Sequence, residues 1–281
     1  MHSVEEDHEL RDSENQRRVP IKRYKAKPRA LGWVLFSVGY GGKRSSYGYL
    51  ARAWAEQGLD VIVVEHVGSN LDVLRSFPQR TQKERFIEVV RRVQLADELE
   101  ARPRDLIRVY EQFANEYRDV PLGLGGHSYG TYTVLACSGM KAKSLNDSVD
   151  GIPARSLLLI SPQPPGMLFL DKDYEKISSP SLLVTGTEDG LLSGGADYTE
   201  RLKVRDCLPE HQSFALVLNG VKHMTFAGMG LNITEQLDSV KAVTKSWWSD
   251  SLLSDAVQSG SPNFTKTLKP PALHELRGPG L

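Results

Sequence analysis

The stretch "LGGHSYGTYTV", residues 124–134, places Ser128 at the centre of a Gly-x-Ser-x-Gly pattern formed with Gly126 and Gly130. An apolar run precedes this pattern, and the helix-like segment "YGTYTVLACSGM" follows it. Glycine destabilises either element unless the backbone needs the space that a Cβ would fill. The pattern therefore predicts a sharp strand-to-helix turn with an exposed serine at its tip. The alternative is a glycine-rich turn whose serine only caps the helix.

Around this stretch, short aliphatic runs alternate along the chain with segments of helical periodicity. The six aliphatic runs lie at residues 33–38, 60–65, 120–126, 156–161, 181–186 and 214–219. The helical stripes lie at residues 50–57, 86–93, 106–117 and 237–248. Runs of this kind are typical of strands buried on both faces of a parallel sheet. The alternation predicts an α/β domain, with a doubly wound, mostly parallel sheet and helices on both faces.

The two ends of the chain differ from this central part in composition. Residues 1–16 are polar and acidic, and residues 259–281 end in "KPPALHELRGPGL". Such segments lack the apolar residues that a packed core needs. We therefore expect a single domain over residues 17–258, with a flexible tail at each end.

Composition and charge exclude several classes of protein. Of 281 residues, 40% are hydrophobic and 25% are charged, and the 35 basic and 35 acidic residues balance to a net charge of zero. This balance argues against nucleic acid or an anionic membrane as an electrostatic partner. We find no apolar stretch long enough to span a bilayer and no segment typical of a secretory signal, so we expect a cytoplasmic protein. The two cysteines are expected to be reduced thiols.

Ser128 would need a base and an orienting acid to act as a nucleophile, because a serine hydroxyl is unreactive near neutral pH. In a strand–turn–helix arrangement of this kind, the chain order is serine, acid, histidine. The fifth aliphatic run is followed by Glu188 and Asp189, and the sixth by His223. The carboxyl ends of parallel strands meet at one edge of a sheet. We predict Ser128 as nucleophile, His223 as base and Asp189 as acid, with Glu188 as the alternative acid.

The nucleophile would also need donors for the negative charge that develops on the carbonyl oxygen of its substrate. One donor is the backbone N–H of Tyr129, at the start of the helix after the serine. The first aliphatic run leads into "GYGG", residues 39–42, where the backbone can approach a ligand closely. We predict the N–H of Tyr40 as the second donor and Gly41 as a substrate contact. The alternative is a flexible glycine loop without a binding role.

The residues around these groups suggest what the site would accept. Tyr40, Tyr129, Met224 and Phe226 are predicted to form an aromatic, apolar acyl pocket; the alternative is that some of them simply pack the core. The segment between the fourth and fifth aliphatic runs is too short for a large lid domain. The segment "RFIEVVRRVQLADELE", residues 85–100, is predicted to form a helix that shades the site.

These segments together resemble the α/β-hydrolase superfamily. More narrowly, the chain is similar to the dienelactone-hydrolase-like and platelet-activating-factor-acetylhydrolase-like serine esterases. The segments that carry the resemblance are "SVGYGGKRSSYGYLARAWAEQGLDVIVVEHVGSN", "GGHSYGTYT", "LISPQPPG", "LLVTGTEDG" and "LNGVKHMTFAG". They span roughly residues 30–230, most of the chain.

The resemblance implies hydrolysis of a small-molecule carboxylic ester through a covalent acyl-enzyme, with no metal and no cofactor. The family pattern Ser-His-Gly-x-Gly-Gly has Val38 in place of its histidine here, and Glu65–His66 stands in place of Asp–His. Val38 removes no catalytic group, because the donor in this loop is a backbone N–H. Dienelactone hydrolases proper use a cysteine nucleophile, so Ser128 does not imply their lactone chemistry.

Other functions remain open at this point. Amide or thioester hydrolysis and acyl transfer would use the same three residues, and a lipid or polyester substrate occurs among the relatives. A binding module on a hydrolase fold would have no need to keep all three residues. A dinucleotide-binding protein is disfavoured, because "GLGGHSYG" does not fit Gly-x-Gly-x-x-Gly and no Walker-type Gly-Lys-Ser/Thr is present.

Overall fold

The computed structural model describes residues 3–11, 16–78, 81–190, 197–257, 259 and 273–279. Within these residues the strands are β1 (Val4–Arg11), β2 (Arg18–Lys25), β3 (Gly32–Ser37), β4 (Leu59–Val64), β5 (Leu122–His127), β6 (Ser156–Ile160), β7 (Ser181–Glu188), β8 (Ser213–Lys222) and β9 (Leu273–Arg277). The α-helices are α1 (Gly48–Ala55), α2 (Leu71–Arg75), α3 (Gln82–Arg92), α4 (Ala96–Phe113), α5 (Tyr129–Cys137), α6 (Thr199–Cys207) and α7 (Thr234–Ser251).

The strands form one nine-stranded sheet in the order β1-β2-β4-β3-β5-β6-β7-β8-β9. The six strands from β4 to β8 in this order all pair in parallel. The pairs β1–β2, β2–β4 and β8–β9 are antiparallel and lie toward the two edges. The six parallel strands are those that the aliphatic runs predict, so the predicted doubly wound, mostly parallel sheet is confirmed.

Each face of the sheet is covered by helices, and the alternation of side chains along a strand supplies both cores. In β3, Val34 and Phe36 pack on the face covered by α1 and α7, whereas Leu35 packs on the face covered by α4 and α5. On the first face, Trp54 and Trp248 meet edge to face with ring centroids 5.8 Å apart. These two apolar layers set the relative positions of the parallel strands and of the residues that directly follow them.

The prediction of one helix over residues 85–100 is wrong, because α3 and α4 are separate helices. Leu95 adopts an extended conformation and precedes the first residue of α4. Basic Arg91 and Arg92 end α3, and acidic Asp97 and Glu98 begin α4. Each pair complements the helix dipole at its own terminus, so the charges favour a break between them.

The prediction of flexible tails is wrong for residues 4–11 and 273–277, which form the edge strands β1 and β9. β1 pairs with β2 along its whole length, and β9 pairs with β8. The acidic residues that make β1 look like a tail have basic partners: Glu5 lies 2.6 Å from Arg52 and 2.8 Å from Lys22. An edge strand needs only one hydrogen-bonded neighbour and tolerates charge on its open side. The rest of the predicted C-terminal tail includes residues 260–272, which lie outside the described residues.

The connection between β6 and β7, residues 161–180, holds a single 3-10 helix at Asp171–Lys176 and no lid domain. The longest insertion follows β4 and consists of α2, α3 and α4. Among the helices that the structure describes, none combines the length and the apolar character needed to cross a membrane.

Candidate active site

The carboxyl ends of three parallel strands bring Ser128, Asp189 and His223 together. Ser128 directly follows β5, Asp189 directly follows β7, and His223 directly follows β8. β7 and β8 are neighbours in the sheet, and only β6 separates β7 from β5. This edge is where open α/β sheets bind ligands, since the loops after the strands diverge there.

Ser128 lies on a strained turn that the flanking glycines make possible. Its φ of +54° and ψ of −125° are rarely adopted by residues other than glycine. A Cβ on Gly126 would collide with the carbonyl of Gly130, and a Cβ on Gly130 would collide with the carbonyl of Ser37. The two glycines therefore allow β5 and α5 to meet closely enough to present the half-buried serine at the tip of the turn.

Ser128, His223 and Asp189 form a hydrogen-bonded chain that we call the open array. His223 Nε2 lies 3.0 Å from Ser128 Oγ, and His223 Nδ1 lies 2.9 Å from Asp189 Oδ1. Because a carboxylate only accepts, Nδ1 carries the proton and donates it to Asp189. Nε2 is then free to accept the hydroxyl proton of Ser128, as a general base must.

The structure places Asp189, and not Glu188, against the imidazole. Asp189 is 0% exposed, and its second oxygen accepts a 2.9 Å hydrogen bond from the hydroxyl of Thr185. Glu188 points away and forms a 3.4 Å ion pair with Lys222 at the surface. Of the two adjacent acids, Asp189 is therefore the one that contacts His223.

Two further residues contact the open array, and the sequence analysis missed both. Ser161, which follows β6 with a φ of +53°, places its Oγ 2.8 Å from His223 Nδ1. Arg201 on α6 is buried, and its guanidinium lies 3.3 Å from Asp189 Oδ1 and 3.4 Å from His223 Nδ1. It also donates to the backbone carbonyls of Asp189, Gly190, Ser161 and Pro162. Arg201 therefore ties together the loops that follow β6 and β7.

The two predicted backbone donors belong to two segments that adjoin the serine. Tyr129 is the first residue of α5, and Tyr40 lies in the glycine loop (residues 38–42) after β3. Within the described residues, neither backbone N–H makes a hydrogen bond. The glycine loop approaches the nucleophile closely, because a Cβ on Gly39 would lie 3.3 Å from the Cβ of Ser128. Both N–H groups are thus unused donors near Ser128.

The residues predicted to contact substrate have different surroundings. Met224 is 46% exposed beside His223. Phe226 is 0% exposed and packs against His127, with ring centroids 5.8 Å apart, so its side chain belongs to the core rather than to a pocket. The Tyr129 ring is also buried, and its hydroxyl donates to the carbonyl of Val93. The N–H of Gly41 donates to Ser69 O at 2.7 Å, so that donor is used within the protein.

A second arrangement of the same residue types, which we call the buried array, consists of Ser37, His66 and Asp105. Ser37 Oγ lies 2.9 Å from His66 Nε2, and His66 Nδ1 lies 2.9 Å from Asp105 Oδ2. Burial is the main cause that lowers the pKa of His66 to about 4, so its ring is neutral near neutral pH. Ser37 and His66 are 0% exposed, so no ester can reach this serine.

Other reactive groups lie outside the site. Cys137 and Cys207 are free thiols, and burial raises the pKa of both. In the described part of the chain, no three histidine, cysteine, aspartate or glutamate side chains are grouped so that they could hold a metal ion.

An open groove of about 410 Å³ lies at the opposite edge of the sheet. Its walls include Trp33 at the start of β3, Leu122 at the start of β5, and Tyr110 and Tyr117 from the end of α4 and beyond it. The parallel strands begin near this groove and end near Ser128. The groove and the open array are therefore separated by the length of a strand. The groove is therefore unrelated to the open array.

Comparison with known proteins agrees with this architecture. No family model matches the chain, and no curated protein matches it. Among solved structures, the chain is similar to a dienelactone hydrolase from Anabaena variabilis, with a TM-score of 0.62 and 15% sequence identity. The match covers 90% of this chain and 100% of that one. At this identity the likeness concerns the fold, and together with the sheet order it shows that the chain has the α/β-hydrolase fold.

Proposed function

We propose that this protein is a serine hydrolase that cleaves carboxylic esters through an acyl-enzyme. The observation that carries the proposal is the open array. In it a half-buried serine on a strained turn is hydrogen-bonded to an imidazole whose other nitrogen is held by a buried carboxylate. The three residues each follow a different strand, and it is the partial exposure of Ser128 that separates this array from the buried one.

In the first half of the reaction, Ser128 Oγ attacks the ester carbonyl while His223 Nε2 takes the hydroxyl proton. The carbonyl π electrons move to the oxygen, and the N–H groups of Tyr40 and Tyr129 stabilise the resulting oxyanion. When the tetrahedral intermediate collapses, the bond to the leaving alkoxide breaks and His223 gives that oxygen its proton. Ser128 is left as an acyl ester.

In the second half, water replaces the alcohol. His223 takes a proton from the water, the hydroxide attacks the acyl carbonyl, and the same two N–H groups stabilise the oxyanion. Collapse returns the proton to Ser128 Oγ and releases the carboxylic acid. Asp189 keeps Nδ1 protonated and stabilises the imidazolium in both halves, so the sequence of steps uses no metal and no cofactor.

We expect short- to medium-chain acyl esters as substrates. The test is turnover of p-nitrophenyl esters from acetate to decanoate by the wild type and by Ser128→Ala. The proposal predicts turnover that depends on Ser128, with a maximum within this series. Hydrolysis that survives in Ser128→Ala at the wild-type rate would overturn it. Matching amide and thioester substrates in the same assay decide between the three acyl chemistries.

A second candidate is hydrolysis of lipid esters, and exposed apolar side chains beside His223 favour it. Met224, Met229 and Leu231 are 46%, 52% and 93% exposed within eight residues of chain. Apolar side chains grouped at the mouth of a site are typical of surfaces that contact other apolar matter. A rate that rises steeply when a long-chain ester passes its critical micelle concentration would favour this candidate, and a rate that saturates below it would exclude it.

A further inference from the structure

Arg102 on α4 is a buried cation without a direct acidic partner. It is 0% exposed, and within the described residues no carboxylate lies within ion-pair distance of its guanidinium. Placing a charge in the protein interior is unfavourable unless hydrogen bonds replace the water that solvates it. Its acceptors are Val38 O, Ser69 Oγ at 2.6 Å, Thr133 Oγ1 at 3.1 Å and Ser37 Oγ at 3.3 Å. These oxygens explain how the charge is tolerated, and their positions suggest its role.

Two of these hydrogen bonds hold the glycine loop on both sides of Tyr40. Val38, whose carbonyl accepts from Arg102, is the first residue of the loop. Ser69 accepts from Arg102 through its hydroxyl and from the Gly41 N–H through its carbonyl, at 2.7 Å. Arg102 therefore holds Val38 directly and Gly41 through Ser69. The peptide that carries the Tyr40 N–H lies between these two residues.

The same guanidinium also contacts the helix that carries the other donor. Its Nε donates to Thr133, which lies one turn after Tyr129 on α5. Its central carbon lies 4.5 Å from the centroid of the Tyr129 ring, as in a cation–π contact. Arg102 thus joins the two segments that supply the N–H groups of Tyr40 and Tyr129.

The buried array links Arg102 to a carboxylate through two neutral side chains. Arg102 donates to Ser37, and the neutral imidazole of His66 links Ser37 to the Asp105 carboxylate. Asp105 in turn accepts two hydrogen bonds from Arg17, at 2.7 and 3.0 Å. The buried array is therefore a relay that orients the guanidinium, and this role accounts for a Ser–His–Asp chain that no substrate can reach.

We propose that Arg102 is the positioning residue of the oxyanion hole: it sets the distance between the Tyr40 and Tyr129 N–H groups. This inference rests on the proposed ester hydrolysis. Arg102 does not touch the reacting atoms. Its effect is on the alignment of donors, and it therefore acts on the transition state more than on the bound ester.

The test is Arg102→Lys, which keeps the charge and removes the planar fork of donors. With p-nitrophenyl butyrate as substrate, we expect kcat to fall about 10- to 100-fold while KM changes by less than about threefold. Binding of a trifluoromethyl ketone, which forms a tetrahedral oxyanion on serine, should weaken by the same factor as kcat. The pH profile of kcat/KM should keep its shape, because the open array is unchanged.

Arg23→Met is the matched control, because Arg23 is a buried arginine on β2 that donates to Glu116 and Tyr117 outside the site. It should lose stability and retain kcat well below its unfolding temperature. A folded Arg102→Lys with wild-type kcat and ketone affinity would overturn the positioning role alone. A wild type that neither turns over esters nor binds the ketone would overturn the proposed function and, with it, this inference.

Ser69→Ala keeps the proposal testable if Arg102→Lys fails to fold. It removes one acceptor of Arg102 and leaves the Ser69 carbonyl that holds Gly41. We expect a loss in kcat of about three- to tenfold with matching loss of ketone affinity, because one of several hydrogen bonds is removed. Unchanged kcat and ketone affinity in this variant would overturn the inference.

Discussion

The open array and the buried array use the same three residue types at nearly the same distances. The serine–imidazole and imidazole–carboxylate distances are 3.0 and 2.9 Å in the open array and 2.9 and 2.9 Å in the buried array. Ser128 is half-buried, whereas Ser37 is 0% exposed. Hydrogen-bond geometry therefore does not by itself distinguish a nucleophile from a structural serine, and access from solvent does.

The hydrogen bonds around the two serines also indicate that Ser128 is the reactive one and Ser37 the structural one. Ser37 Oγ donates its proton to His66 Nε2 and accepts a hydrogen bond from Arg102, so its hydroxyl is held on both its donor and its acceptor side. In the described part of the chain, the hydrogen bond of Ser128 Oγ is to His223 alone. It also lies between two segments with unused backbone N–H groups. The open array is thus arranged for a step in which Ser128 gives up a proton, and the buried array is arranged to stay unchanged.

Replacing each serine by alanine gives the largest expected contrast. Ser128→Ala should lower kcat/KM for p-nitrophenyl butyrate by at least about 10⁴-fold, because the nucleophile is lost. Ser37→Ala should lower it by no more than about tenfold, since it removes one weak acceptor of Arg102. Steady-state kinetics on both folded variants check this contrast. Equal losses in the two variants would show that the arrays are not functionally distinct.

The two adjacent acids at the end of β7 give the next contrast. Asp189→Asn should lower kcat by about 10³- to 10⁴-fold, because an amide at this position favours the wrong imidazole tautomer. Glu188→Gln should retain the wild-type kcat, since among the described residues its carboxylate forms an ion pair with Lys222 at the surface and none with His223. The same ester assay measures both. A larger loss in Glu188→Gln would reverse the assignment of the acid.

Replacing Arg201 should lower the activity of the open array less than replacing Asp189. Arg201→Met removes the donors to the four carbonyls of the loops after β6 and β7, so Asp189 should become less well aligned. We expect kcat to fall about 10- to 100-fold, with the protein still folded. Arg205→Met, on the same helix with an ion pair to Asp206, is the matched control and should keep its activity. The assignment fails if the two variants behave alike.

The buried array should affect the free energy of unfolding more than it affects catalytic activity. Burial lowers the pKa of His66 from 6.5 to about 4, so the unfolded chain binds a proton in this range that the folded chain does not. The free energy of unfolding should therefore fall as the pH drops from 6.5 to 4, by about 1.4 kcal/mol per pH unit for this group. His127, whose pKa burial also lowers, adds a contribution of the same sign.

Urea unfolding at a series of pH values measures this slope. His66→Gln should reduce the slope, whereas His211→Gln, at an exposed position, should leave it unchanged. A free energy of unfolding that is constant between pH 7 and pH 5 would contradict the neutral, buried state of His66.

The sequence predicts the parallel part of the sheet and the order of the open array because both depend on local patterns. Aliphatic runs mark the strands, and Ser128, Asp189 and His223 each follow one of them. The edge strand β1 could not be predicted in this way, because its charged residues are satisfied by Arg52 and Lys22 from other parts of the chain.

Arg102 and Arg201 escaped prediction for a related reason. An arginine in a helical segment usually lies on the solvated face, and only the tertiary structure shows that both guanidinium groups are buried against backbone carbonyls and hydroxyls. The prediction that Phe226 lines the acyl pocket failed for the opposite reason, because a residue expected to contact substrate is buried. An aromatic residue three positions after His223 can line a pocket or pack in the core, and the burial of Phe226 and its contact with the His127 ring show the second arrangement.

The most direct test of the difference between the two arrays is labelling with a fluorophosphonate probe, followed by peptide mapping. Our account predicts one equivalent of probe on Ser128, no probe on Ser37, and loss of labelling in Ser128→Ala and in His223→Ala. Labelling of Ser37, or no labelling of the folded wild type, would contradict it. The second result would favour a binding module that keeps the fold and performs no chemistry.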